Sequence, residues 1–390
     1  NMAANLAPGT PLIAETGGLN AMIVDSTALP EQAVRDIVNG AFRSAGQRCS
    51  ALRCLYVQED IAPHVIPMIQ GAMDELVVGD PWDLTTDVGP VIDAKARDDI
   101  AGYVAANGNR VIHKLHAPSR GTFIAPTMLR VGGIGDLERE IFGPVLHVAT
   151  FKGNQLDQVV ADINARGFGL TFGLHTRIDS RVQEVSDAIH VGNIYVNRNQ
   201  IGAVVGSQPF GGEGLSGTGP KAGGPRYVPR FFASDAPTAG GTWQGQADEG
   251  RIRARLAAHV SRKIDERLMP GPTGELNRLT AHTRPPVLCL GPGAETVAAQ
   301  VAAVAALGGD AVGVEGPLAP DALTRLPAMA AALWWGDDTQ GRAYAQALAA
   351  RDGEIVQLVT GMPDLAHVAH ERHLCVDTTA AGGNAALLAG

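Results

Sequence analysis

Apolar residues recur along the chain in two spacings that take turns. Between Pro30 and Arg43, residues Ala33, Val34, Ile37, Val38, Ala41 and Phe42 fall at i, i+1, i+4, i+5, i+8 and i+9. One stripe at this period predicts an amphipathic helix, and Pro30 suits its first turn. Short apolar runs flank it at 11–14, 19–24 and 51–58. Runs of this length between turn residues predict buried strands. Helical patterns follow at 61–75, 93–107, 156–165 and 180–189, with strand patterns at 123–127, 170–176 and 192–196. Strands that alternate with helices predict an α/β fold built on a largely parallel sheet.

The pattern then changes. Residues 202–224 are dense in glycine, yet Val204, Val205, Phe210 and Leu215 are interleaved, which predicts an ordered loop rather than a flexible linker. A short strand is expected at 226–232 and a linker at 234–250, where apolar anchors are few. The arginine-rich stretch 251–269 reads as a surface helix. From Pro286 a second unit begins: strand 287–290, turn Gly291-Pro292-Gly293, helix 294–307 and strand 311–314, a βαβ unit. The turn carries a proline, lacks a third glycine and places Glu295 where a phosphate would lie, so no cofactor is expected there. Residues 333–335, 339–350 and 355–359 repeat the pattern, and 374–388 echo 12–24.

Composition narrows the function. The chain has 390 residues, 45% hydrophobic and 18% charged, with a net charge of -9, which argues against a nucleic-acid partner. No apolar run approaches the ~18 residues of a membrane span. Four cysteines make no disulfide framework, and Cys49 and Cys54 lack metal-ligand spacing. A reducing, cytoplasmic setting without a metal is expected. The start reads as the middle of a structured region, so a piece of a longer protein is expected.

Three stretches carry candidate chemistry. Cys49 stands between Arg48 and Ser50 after a helix; a nearby cation or helix end raises a cysteine's thiolate fraction. The plain alternative is a small buried hydrophobe. Glu15 sits at a strand end beside Gly17 and Gly18, where the backbone can approach a ligand, or it closes an ordinary turn. Glu140 precedes Phe142 and the Gly143-Pro144 turn. That pair can hold a ribose and pack a flat ring, or it can simply start a strand. A thiol hydrolase using Cys49 would need a histidine, and none of the 11 lies in a recognisable motif.

In order, Glu15-Thr16-Gly17-Gly18, Gly46-Gln47-Arg48-Cys49-Ser50-Ala51 and Glu140-Ile141-Phe142-Gly143-Pro144 resemble the aldehyde dehydrogenase superfamily, and Pro209-Phe210-Gly211-Gly212 fits its later loop. Residues 47–50, Gly202-Ala203 with Gln208-Pro209-Phe210, and 217–225 are similar to the Δ1-pyrroline-5-carboxylate (L-glutamate γ-semialdehyde) dehydrogenases. The stretch from Gly291, above all 375–384, resembles the C-terminal region of the long proline utilization A family, bifunctional flavin and NAD enzymes. The resemblance implies a three-layer aldehyde dehydrogenase catalytic domain followed by a smaller Rossmann-like α/β domain. It places the end of an NAD-binding domain at 1–20, the catalytic domain at 21–205, the glycine-rich anchor loop and a strand at 206–233, the linker at 234–250 and a cofactor-free domain at 251–390.

By the same resemblance Cys49 is the nucleophile and Glu15 the base that activates water. Glu140, Phe142 and Gly17 bind NAD, while Ser50, Gly202, Ala203 and Phe210 bind the substrate. FAD would belong to a proline dehydrogenase part not present in this sequence. The implied partners are a small aldehyde, the missing N-terminal part and further copies in a homo-oligomer. The competing expectation is a structural or interaction fragment that inherits these residues and catalyses nothing.

Overall fold

The computed structural model describes residues 2–232, 234–235, 240–243 and 245–379. The C-terminal half of the 374–388 echo, and part of the expected linker, lie outside the described residues. The chain divides into two compact units. One comprises 17–208, 268–278 and 373–390; the other comprises 1–16, 209–267 and 279–372.

The first unit is built on strands β1 (Ala21–Val24), β2 (Cys54–Gln58), β3 (Val111–Lys114), β4 (Thr127–Arg130), β5 (Val145–Phe151), β6 (Thr171–His175) and β7 (Asn193–Val196). Their order is β7-β6-β1-β2-β5-β4-β3, and residues 373–376 of the C-terminal strand Ala369–Asp377 pair with β7. All neighbours are parallel except β3 and β4. Successive side chains of a strand point to opposite faces. Accordingly Met22, Val24, Leu55, Val57, Leu146 and Val148 join the core under helices α1 (Pro30–Phe42), α2 (Ala62–Asp74) and α3 (Ala94–Ala106). Ala21, Ile23, Cys54, Tyr56, Ala149 and Phe151 join the opposite core with residues of α4 (Leu156–Ala165) and α5 (Asp179–Ala188). The result is a three-layer α/β/α unit.

The second unit holds a four-stranded parallel sheet in the order Ala311–Gly313, Val287–Cys289, Ala331–Leu333, Gln357–Val359. In the Rossmann arrangement the helix after the first strand receives a phosphate on its free N–H groups. Here the helix Ala294–Ala306 offers them to its own chain. The Thr296 N–H donates to the Gly240 carbonyl at 3.3 Å and the Ala294 N–H to the Thr242 carbonyl at 3.4 Å. The Thr296 hydroxyl donates to the same Gly240 oxygen at 2.9 Å, and a Cβ on Gly293 would lie 2.3 Å from the Gly241 oxygen and 2.7 Å from the Gly240 oxygen.

Four elements differ from the pattern reading, one of them the strand expected over 123–127, which begins only at Thr127 and runs to Arg130. Residues 11–14 form no strand; Glu15 alone makes a bridge, to Gly217. Residues Val228–Phe231 form a 3₁₀ turn, because Pro229 cannot donate to a ladder. The expected helix over 251–269 stops at Ala257 after burying Ile252 and Leu256, and Lys263–Met269 is a strand. The turn at Pro270-Gly271-Pro272 leads into a second strand, Glu275–Thr283, whose alternate residues are buried.

A histidine lies buried in the sheet. His147, in β5, is fully buried, with Nδ1 2.8 Å from the Arg53 carbonyl and Nε2 2.9 Å from the Tyr103 hydroxyl. The carbonyl can only accept, so Nδ1 carries the proton and the ring is neutral. Burial is the main force pushing its pKa down to about 4. A folded pKa below the unfolded value means that the unfolded chain binds the extra proton first. This contribution to stability is complete above pH ~6.5 and is lost as pH falls towards 4, by roughly 3 kcal/mol. Denaturant midpoints of the full chain at pH 7 and pH 5 should therefore diverge less in His147→Gln than in the parent; equal divergence would exclude the role.

Candidate active site

Three sequence stretches meet because each leads into one of three adjacent parallel strands. Residues 17–20 precede β1, 46–53 precede β2 and 140–144 precede β5, and these strands pair in register, Ala21 with Cys54 and Cys54 with His147. The motifs therefore gather at one end of the sheet.

The turn before Cys49 is strained. After α1, Ser44 and Ala45 take φ of 57° and 53°, and Gly46 takes 66°. Non-glycine residues in this left-handed region each cost about 1–3 kcal/mol and persist where the surroundings enforce them. Ala45 is buried, and a Cβ on Gly46 would lie 2.2 Å from the Gly143 carbonyl oxygen. Only glycine permits that approach. The turn leaves Cys49 exposed and Ser50 buried.

What holds this turn is Arg53. Its guanidinium is buried and donates from Nη1 to the Gly46 carbonyl at 2.7 Å and the Gly143 carbonyl at 3.3 Å, and from Nη2 to the Arg48 carbonyl at 3.1 Å. The same fork meets Glu140 Oε1 through Nη2 at 3.0 Å and Nε at 3.2 Å. Burial lowers the Arg53 pKa, and the Glu140 carboxylate opposes it. Glu140 Oε2 accepts the Gly18 N–H at 3.2 Å. Gly17 has φ of 133°, and a Cβ there would reach 3.0 Å from that oxygen. Phe142, 46% exposed, carries the Arg53 guanidinium 5.2 Å from its ring centroid.

Asn20 supports the turn from below. Its Nδ2 donates to the carbonyls of Cys49 at 2.6 Å and Ala51 at 2.9 Å, and its Oδ1 accepts the Thr171 N–H at 3.2 Å. The loop after β7 returns to the same place. Gln200 Nε2 lies 3.4 Å from the Ser50 carbonyl, and a Cβ on Gly202 would lie 3.8 Å from Arg48 Nη1. Cys49, Ser50, Gly17, Glu140, Phe142, Gly202 and Ala203 thus all belong to the first unit.

Glu15 and Phe210 belong to the second unit. Glu15 is exposed as a residue, but its carboxyl faces glycine backbone: Gly212 N–H donates to Oε2 at 3.3 Å, and a Cβ on Gly217 would lie 3.0 Å from Oε1. Desolvation there raises its pKa above the ordinary carboxylate value, against the pull of the Gly212 N–H and the Lys221 charge. Phe210 is half-buried, and its backbone pairs with Ala222.

The pattern reading missed Arg53, Asn20 and Lys221. Each left a mark: a cation inside the apolar run 51–58, an amide inside 19–24, and a lysine in a glycine-proline loop.

Residues 1–235 match the model of the aldehyde dehydrogenase family. The chain belongs to that family. The chain is 43% identical to the bifunctional protein PutA of Salmonella typhimurium over 97% of its own length and 33% of the relative. It therefore spans about a third of the length of the relatives that it matches along its whole extent. A crystal structure of a Bradyrhizobium japonicum proline utilization A variant is 55% identical and superposes with a TM-score of 0.56, covering 57% of this chain and 23% of that one. A Thermus 1-pyrroline-5-carboxylate dehydrogenase with bound NAD is 34% identical, with a TM-score of 0.54 over 59% of this chain and 46% of that one. Among the described residues no helix is long and apolar enough to cross a membrane, and no cluster of His, Cys, Asp and Glu could hold a metal.

The buried fork makes one residue measurable. Arg53→Met would strip three carbonyls and Glu140 Oε1 of the N–H groups that Arg53 supplies, and should cost the full chain about 3–5 kcal/mol in denaturant unfolding. Arg53→Lys should restore little, because a compact ammonium with three donors cannot reach four separate acceptors. Full stability in Arg53→Lys would remove the guanidinium fork from this role.

Proposed function

We propose that the chain carries the catalytic part of an NAD-dependent oxidation of L-glutamate γ-semialdehyde, the open form of Δ1-pyrroline-5-carboxylate, to L-glutamate. We place it within a longer proline-catabolic enzyme whose other part oxidises proline with FAD. The observation that carries this reading is the Cys49 turn, exposed at its tip and anchored through Arg53 to Glu140. The length and names of the relatives support the longer enzyme. A homo-oligomer in the cytoplasm is part of the same proposal.

Residues for the cofactor fit. Glu140 is oriented by Arg53 and 19% exposed, Phe142 offers an open ring face, and Gly17 leaves room where a Cβ would crowd Glu140. These would hold the nicotinamide ribose and ring of NAD. The chemistry supplied by the bound cofactor is acceptance of a hydride. The chain's own residues do the rest. The Cys49 thiolate adds to the aldehyde carbon, forming a thiohemiacetal that becomes a thioester once hydride departs. Glu15 takes a proton from water, the water oxygen attacks the thioester carbon, and the thiolate leaves with the acid released. The substrate is anionic while the chain carries a net charge of -9, so its carboxylate must be met locally. Ser50 and the N–H groups of Gly202 and Ala203 serve that purpose beside the Arg48 guanidinium, and Phe210 covers the apolar stem.

The test uses the full-length parent enzyme with the semialdehyde and NAD+. Cys49→Ala should abolish NADH formation, and near-normal turnover in that variant would end the assignment. Glu15→Gln should retain a first turnover of NADH while steady-state turnover falls roughly 10²–10⁴-fold. In the parent, turnover should fall as pH drops through the Glu15 pKa, because only the carboxylate is a base. That limb should lie above the ordinary carboxylate range, since desolvation raises the group. A limb at or below the range of exposed carboxylates would count against Glu15.

A further inference from the structure

Lys221 is a buried lysine that no step above uses. It is 2% exposed, in the loop that follows Gly217. Its Nζ donates to the Gly211 carbonyl at 2.5 Å. The next N–H along the chain, that of Gly212, is the one that donates to Glu15 Oε2. The Gly211 carbonyl and the Gly212 N–H are the two ends of one peptide plane. In a trans peptide they point in opposite directions, so fixing one end aims the other. The lysine backbone lies close as well: a Cβ on Gly211 would be 3.1 Å from Glu15 Oε1 and 3.3 Å from Lys221 Cα.

The segment that presents Lys221 is itself held. Phe210 and Ala222 exchange backbone hydrogen bonds at 3.0 and 2.8 Å, so Gly211 and Lys221 are clamped between paired residues. Glu15 bridges Gly217, and the Thr16 N–H reaches the Ser216 carbonyl at 3.1 Å. A single glycine-rich fold thus carries the base, its donor and the cation. All belong to one compact unit.

We propose that Lys221 is a positioning residue: through the Gly211–Gly212 peptide it fixes the N–H that orients Glu15, and so governs release of the thioester rather than its formation. This rests on the function proposed above. Lys221 faces Glu371, Glu213 and Glu15, with Arg372 behind them; Glu213 is already paired with Arg372 at 2.7 Å, and the Lys221 N–H meets Glu371 Oε2 at 3.4 Å. Glu15 faces Lys221 and the Gly212 N–H, both of which favour its charged form. Removing the ammonium therefore weakens the carboxylate as a well-placed base and moves its titration to higher pH.

The experiment compares Lys221→Met, Lys221→Gln and Lys221→Arg in the full-length enzyme. It follows the first turnover of NADH by rapid mixing, then steady-state turnover from pH 5 to 9. In Lys221→Met the first turnover should stay within about twofold of the parent while steady-state turnover falls about tenfold or more. Its acidic limb should move up by about one pH unit. Lys221→Gln keeps a donor without the charge and should fall between, and Lys221→Arg should recover most of the rate. Equal losses in first and later turnovers with an unmoved limb would make Lys221 purely structural and overturn the proposal. So would failure of all three variants to fold, or Lys221→Met with parental turnover. Absence of any first-turnover NADH in the parent would instead sink the underlying reaction, which keeps the two failures apart.

Discussion

A single buried guanidinium sets the geometry on which the candidate site depends. Arg53 lies in the protein interior with four acceptors around its fork: three backbone carbonyls and the Glu140 carboxylate. A buried charge is tolerated only when paired and hydrogen-bonded, and here every partner lies on a segment that must be held still. Gly46 and Arg48 bracket the turn that presents Cys49, Gly143 belongs to the turn before β5, and Glu140 faces the backbone of Gly18. Removing the cation would free the Cys49 turn and the Glu140 carboxylate at once. Arg53 is therefore shared framework rather than a group that reacts.

The topology explains why such sharing is possible. The three segments precede strands that neighbour one another in the sheet, so parallel pairing alone carries them to one rim. The strained residues Ser44 and Ala45 sit there too, held by Arg53, Asn20 and the tight approach of Gly46 to Gly143. Strain of this kind survives where surrounding bonds over-determine the backbone.

Much of this was legible before any coordinates. The spacing of Ala33, Val34, Ile37 and Val38 placed α1, and the short strand patterns placed β1, β2, β6 and β7, because period and length distinguish helix from strand. The site motifs were legible as ordered clusters of chemically apt residues. Arg53 and Asn20 were not, because a polar residue in an apolar run shows that something must satisfy it, not what does. The helix expected over 251–269 failed for a related reason: charge content does not report period, and the return strand Glu275–Thr283 decided the outcome. Glu15 and Cys49 fall in different compact units, a division that no spacing along the chain could display.

The smaller sheet carries the shape of a nucleotide binder while its own residues 240–242 rest on the helix start at Ala294. Ligands tied to the same chain compete at effective concentrations of order millimolar and are never depleted. A free nucleotide would have to evict them before it could dock. Two N–H groups at this helix start are thus already satisfied from within the chain, and a phosphate arriving there would meet filled donors.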